Sequence, residues 1–507
     1  MFYVPLYLEA MRSRPVLVFW LATLAQAALW IAVPALFYTS PPGALAQVLA
    51  VGHEFPLSGD TGPPLAYWIA ELAFRIAGLF GVYVLSQLCV MATYWCVFTL
   101  GRAIVGATHA VIAVLLMVGI SVFTVPTPDF GPPILTMALW VAALLAYWRA
   151  AVEAERRSWY ALGVLAALIL CASSAALILL GLLAAFTAAT ERGRAAFAAR
   201  EPRLVAAALA PVLVAHLFWL IGTGDGVALV FERLRAAGAG NAAAWVRLAV
   251  VLILAHAGLA ILAVLASGRP RFYASASPAI PRPAVDPFAA TFVGVFALLP
   301  ALVATIFAVV LGRPLPIASM APLLVLSGLA VVIAAGDSFA LYHQRILGFA
   351  WAGLLIVPAI LVPLVLIALP WTAGTDLKVA QPAAAMGRFF AESFERRTGH
   401  SLAVVSGDAQ TAPLVALGAP SRPSVYFEAD PARAPRVTAD EIRQKGAVVV
   451  WLAAGADPTP PADIAAHFPG LIAEVPQTFE RQVRGRLPPL RIGWGMIRPA
   501  SAAAALR

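Results

Sequence analysis

The sequence predicts a polytopic α-helical membrane protein with about 11 transmembrane helices and a small C-terminal α/β soluble domain. Three observations carry this expectation. Hydrophobic residues make up 62% of the chain and charged residues 12%, and the mean hydropathy is +0.88, outside the range of soluble domains. About eleven apolar stretches, each long enough to cross or nearly cross a bilayer, fill the chain up to Pro370-Trp371. Residues 371–507 are polar and alternate strand-like with helix-like segments, so the chain divides into a membrane domain, 1–370, and a soluble domain, 371–507.

The spans read in order as 16–37, 80–100, 108–125, 133–148, 159–172, 175–190, 203–222, 245–267, 288–311, 315–336 and 348–369. Val16 to Phe37 follows Arg12 and Arg14, is long enough to span and lacks a small-residue cleavage site, which predicts a retained helix rather than a signal peptide. Within 159–190 the run Cys171-Ala172-Ser173-Ser174 predicts a turn between two short helices. That turn fixes the parity, because an odd number of spans puts the two ends of the membrane domain on opposite sides. Arginine supplies the direction. Arg12, Arg14, Arg102, Arg149, Arg156, Arg157, Arg192, Arg194, Arg200, Arg203, Arg269, Arg271, Arg282 and Arg345 fall on one face, which the positive-inside rule makes cytoplasmic. The expected location is a bacterial inner membrane, with the N-terminus cytoplasmic and the C-terminal domain periplasmic. The net charge of +9 is then a topology signal, and a nucleic-acid partner is not expected. Cys89, Cys96 and Cys171 all lie in apolar stretches and give no disulfide framework.

Two outward loops hold the candidate chemistry. The first, 38–79, contains Gly52-His53-Glu54-Phe55, Asp60 and Gly62-Pro63-Pro64-Leu65-Ala66-Tyr67-Trp68. Its second half places Ile69, Leu72, Ala73, Ile76 and Ala77 at helical spacing, with Tyr67 and Trp68 suited to the headgroup level, which predicts a helix lying in the interface. A loop of this length in a compact domain is uncommon unless it has a function. The second loop, Val125-Pro126-Thr127-Pro128-Asp129-Phe130-Gly131-Pro132-Pro133, is short and sets Asp129 alone between two apolar helices. A solvated loop carboxylate is the plain alternative to a functional one there.

These features resemble the family 39 glycosyltransferases of the GT-C membrane superfamily, with the protein O-mannosyltransferases and the lipid A aminoarabinose transferase as relatives. The resemblance rests on Pro63-Pro64-Leu65 with Trp68 ahead of the second span, on Asp129 after the third, and on the layout of many spans followed by a periplasmic domain. It implies a GT-C-like fold and an inverting-type transfer of sugar from a polyprenyl-phosphate-linked donor. The acceptor would be an envelope glycolipid, polysaccharide or protein at the outer face. An acidic side chain would take the acceptor proton, and Arg233, Arg235 and Arg313, the outward arginines, would steady the departing phosphate. His53, Tyr67 and Trp68 complete the expected substrate-binding set beside the catalytic candidates Glu54, Asp60 and Asp129. Some GT-C enzymes use a divalent metal, which stays open here, although no His or Cys cluster has ligand spacing.

One departure from the family bears on mechanism. Family members usually carry an acidic residue just after the first span as the expected general base, whereas this chain has Tyr38-Thr39-Ser40-Pro41-Pro42-Gly43-Ala44. Either Glu54 or Asp60 takes over that role, or transferase activity is altered or lost. Asp129 matches the family's second acidic position and is expected to organise the acceptor or the donor headgroup. His216 and His256 lie within spans, where packing is the plainer reading of His256.

In the tail, helices are expected at 385–398 and 438–445 and strands at 402–405, 424–427 and 447–452 in a partly parallel sheet. Ser406-Gly407-Asp408 after the first strand reads as a turn. A transporter or flippase would share the many spans, but no internal repeat supports one. A noncatalytic assembly protein would account for the missing first-loop acid.

Overall fold

The computed structural model describes residues 12–56, 62–222, 242–267, 279–311, 317–336, 338–340, 344–375, 377–427, 437–453, 457, 459–468 and 470–500. Its helices are α1 Pro15–Phe37, α2 Leu45–His53, α3 Leu65–Val105, α4 Ala107–Met117, α5 Pro132–Ala151, α6 Arg156–Ala172, α7 Ala176–Ala189, α8 Glu191–Phe197 and α9 Arg200–Gly222. They continue with α10 Ala242–Ala255, α11 Ala257–Ser267, α12 Pro287–Leu311, α13 Ser327–Ala334 and α14 Gln344–Thr372. Among the described residues six helices are long and apolar enough to cross a membrane, or up to eight if each of two bent pairs is one span. The chain is a multi-pass membrane protein. Each of the eleven apolar stretches contains helix, but 108–125 and 315–336 form short ones, each combined with a 3-10 turn.

Local chemistry explains the breaks. Helix α3 is interrupted at Ala77 and Gly78, where Gly78 adopts φ +59, so its amphipathic start is set off from the span that follows. Ser173 is extended and its hydroxyl accepts the Ala175 N–H, which ends α6 and starts α7. Between α10 and α11 the chain bends by 49° at His256. His256 Nδ1 lies 2.8 Å from the Leu252 carbonyl and Nε2 lies 3.1 Å from Ser327 Oγ, a packing arrangement that leaves neither ring nitrogen idle.

Two compact units emerge from the contacts: residues 1–32, 84–128 and 132–360 form one, and 33–83, 129–131 and 361–507 the other. The first is a helical bundle with an aromatic core, in which Tyr147 stacks on Phe292 and Phe186 meets Phe292 and Phe296 edge-on or tilted. Two of its buried amides find partners: Gln26 donates to Tyr94 Oη at 3.0 Å, and Gln87 donates to Thr127 Oγ1 at 2.9 Å.

The second unit is built around the tail. Its further helices are α15 Ala383–Thr398, α16 Thr411–Gly418, α17 Ala439–Lys445 and α18 Ala462–His467. A two-stranded pair, β1 Ala279–Pro281 with β2 Ser338–Ala340, lies in the first unit. In the tail β3 Val404–Gly407, β4 Ser424–Phe427, β5 Ala447–Leu452, β6 Ile472–Phe479 and β7 Leu490–Ile497 form one sheet of order β4-β3-β5-β7-β6. Strands β4, β3 and β5 are parallel, and β7 and β6 add antiparallel. The expected strands and helices are present, and the sequence reading missed α16, α18, β6 and β7. Strand β6 escaped notice because its residues alternate weakly and several are exposed or half-exposed. Asp408 Oδ1 accepts the N–H groups of Gln410 and Thr411, so the turn after β3 starts α16.

Candidate functional site

The site is assembled within the second unit from the first loop, residue 129 and the tail. The segment after α1 is tied to the linker that precedes α15. Thr39 N–H and Ser40 N–H both donate to the Val379 carbonyl, at 2.9 and 3.1 Å, and Ser40 Oγ donates to the Lys378 carbonyl at 2.6 Å. The acid-free stretch after the first span therefore serves as a structural tie. Beyond it, α2 buries Ala46 in the core of the tail, and Gln47 donates to the Ala409 carbonyl at 2.6 Å.

Asp129 meets the start of this helix. Its carboxylate accepts the Ala44 N–H at 3.0 and 3.3 Å, among the backbone groups that no helical partner satisfies. Gly43 adopts φ +50, and a Cβ built there would overlap the Asp129 carboxylate. Glycine at 43 is thus required twice, by backbone conformation and by space. Burial pushes the Asp129 carboxyl from 3.8 up to about 6, against the backbone N–H groups of Ala44 and Leu45 that favour the charged form. A group balanced this close to neutrality can hold or release a proton at working pH. Gly43→Ala is expected to destabilise the protein by roughly 1–3 kcal/mol, the usual range for a strained backbone position. It should also displace Asp129. Thermal unfolding in detergent measures the first effect, and an unchanged midpoint would mean that residue 43 does not hold Asp129.

A second cluster surrounds Glu71 on α3. The Glu71 side chain is 2% exposed, and a carboxylate so buried must be paired. Arg75 Nε donates to Oε1 at 3.0 Å, His53 Nδ1 lies 3.3 Å from the same oxygen, and Arg422 Nη2 donates to Oε2 at 2.9 Å. Each guanidinium covers an aromatic ring, Arg75 that of Phe55 at 4.8 Å and Arg422 that of Phe74 at 4.3 Å. Phe55 and Arg422 both have positive φ, a conformation that side chains rarely adopt, and these ring and ion contacts hold them in it.

The remaining sequence candidates fall as follows. His53 joins the Glu71 cluster, and Glu54 caps the C-terminus of α2. Trp68 Nε1 donates to the Pro56 carbonyl at 2.9 Å, and Tyr67 is buried with its backbone carbonyl against Gly52. Asp60, Arg233, Arg235 and Arg313 lie outside the described residues. Among the described residues no group of three or more His, Cys, Asp or Glu could hold a metal ion. Sequence reasoning missed Gly43, Glu71, Arg75 and Arg422. Glu71 and Arg75 stand four residues apart on one helix, a spacing that signals a pair, but nothing local points from Glu71 to Arg422.

Comparison with known proteins adds a relation to this geometry. Residues 61–219 match the model of the Dolichyl-phosphate-mannose-protein mannosyltransferase family, a stretch that begins after the acid-free segment and takes in Trp68, Glu71 and Asp129. The crystal structure of ArnT from Cupriavidus metallidurans bound to undecaprenyl phosphate superposes with a TM-score of 0.57 at 12% identity, covering 95% of this chain and 97% of that one. The fold is that of ArnT. The apo structure of the same ArnT gives a TM-score of 0.55 at 13% identity over 96% of this chain and 98% of that one. No curated protein matches in sequence. The shared fold thus extends along nearly the whole chain, tail included, whereas the family model covers residues 61–219.

Proposed function

We propose that the protein is a membrane glycosyltransferase that moves a sugar from a polyprenyl-phosphate-linked donor to an envelope acceptor at the outer face of the membrane, with Asp129 as the general base. The observation that carries this is the place of the Asp129 carboxylate. It occupies the space a side chain at position 43 would fill, so an acid from the second loop stands in the segment where family members carry their first-loop acid. Its raised pKa suits proton abstraction near neutral pH. The acceptor oxygen attacks the anomeric carbon, its proton passes to Asp129, and the bond from that carbon to the phosphate oxygen breaks with the electron pair leaving on the lipid phosphate. A single displacement of this kind inverts the anomeric centre. Outward arginines, Arg233, Arg235 and Arg313 in the sequence reading, would receive the charge that develops on the phosphate. ArnT, which shares the fold, binds undecaprenyl phosphate, and this supports a lipid-phosphate donor.

The test compares envelope lipids and glycans by mass spectrometry in a parent strain, a deletion strain and a strain carrying Asp129→Asn. A glycosylated species lost in the deletion and not restored by the Asn variant is expected. Identical profiles in parent and deletion strains would count decisively against a transferase.

A further inference from the structure

We infer that the helical unit carries a binding site for an anionic phospholipid, separate from the Asp129 and Glu71 clusters. A cavity of about 540 Å³ opens between α5, α6, α7, α8 and α9, within the size range of ~300–1,000 Å³ typical of small-ligand sites. Its walls are apolar, formed by side chains such as Trp159, Leu183, Phe197 and Leu209, and Arg194 and Arg203 also border it. The chain turns by 102° between α7 and α8. If α7 crosses the membrane, α8 runs along its surface, which sets Arg194 at the level of the headgroups.

The charges at this end are not equivalent. Arg192 pairs with Asp286, and Arg156 lies 3.8 Å from Glu201. Arg194 donates to the Ala188 carbonyl at 2.8 Å, and neither it nor Arg203 has a carboxylate partner among the described residues. Two guanidiniums without counter-charge beside an apolar cavity match one class of ligand, a phosphate headgroup carrying acyl chains. Basic pockets between membrane helices recognise anionic lipids in this way. Tyr147 and Thr187, whose hydroxyls lie 2.9 Å apart, also line the cavity.

The test uses the full-length protein in detergent, offered equimolar phosphatidylglycerol and phosphatidylcholine and read by native mass spectrometry. The parent is expected to retain phosphatidylglycerol over phosphatidylcholine by roughly thirtyfold, as two surface arginines would give. The double variant R194Q/R203Q, altered at two exposed positions, should bring the ratio close to one. Ala206→Trp, which fills the cavity from an exposed position, should remove the retained lipid with both arginines in place. Excess inorganic phosphate should not displace it. An equal ratio in the parent, an unchanged ratio in the double variant, or displacement by phosphate alone would each overturn the proposal.

Discussion

Asp129→Asn is expected to lower sugar transfer by roughly 10²–10⁴-fold, the usual loss on removing a general base, while leaving the protein folded. Asparagine keeps an oxygen to accept the Ala44 N–H, so the contact that positions the residue survives and the proton acceptor is lost. The parent enzyme's kcat/KM should rise with pH up to about 6, where Asp129 loses its proton, and then level off. In the Asn variant the residual rate should lack that limb.

Stability gives an independent reading with its own sign. The Asp129 carboxyl is raised from 3.8 to about 6 in the folded protein, so the native state holds a proton that the unfolded chain has released. The associated stability is fully present below pH 3.8, falls as pH rises through about 6, and is absent above. Asp129→Asn removes this dependence. Relative to the parent, the variant should gain at most ~3 kcal/mol between pH 4 and pH 7. Thermal unfolding at both pH values measures the gain. Retained transfer above a tenth of the parent rate, with a pH limb still near 6, would assign the base to another residue.

The second large effect concerns Glu71. Glu71→Ala should cost about 3–5 kcal/mol, because it leaves the Arg422 guanidinium, 18% exposed, without its counter-charge. Loss of expression or a much lower unfolding midpoint is the expected readout. Arg422→Gln should cost less, since Arg75 still neutralises Glu71. Glu71→Gln combined with Arg422→Gln should be less damaging than the two single changes added together, with a coupling of about 0.5–3 kcal/mol. Strict additivity of the two changes would show that the pair contributes nothing to the unit.

Much of this architecture was legible in the chain. Apolar runs bounded by Gly, Pro and Arg mark the helices because lipid leaves backbone groups no alternative to internal hydrogen bonds. The break at Ser173 was signalled by the residues that make it, and the boundary drawn between the first loop and the span from residue 80 falls beside the kink at Gly78. Asp129 stood out as a lone carboxylate between two spans. The number of spans was less legible, since 108–125 and 315–336 are as apolar as the longer helices but contain only short ones.

The partners of the key groups were not legible. Asp129 and Ala44 lie 85 positions apart, and Glu71 and Arg422 lie 351 apart. The sequence by itself determined which segments are helical, that the protein belongs in a membrane, and that a mixed α/β domain closes the chain, because each of these follows from the solvation and hydrogen bonding of consecutive residues. Only the tertiary structure decided that Asp129 fills the space left by Gly43, and that a carboxylate on the first-loop helix is neutralised by an arginine of the tail. Such pairings are set by which distant surfaces are buried together, and burial is what raises the pKa of one carboxylate and obliges the other to find a partner.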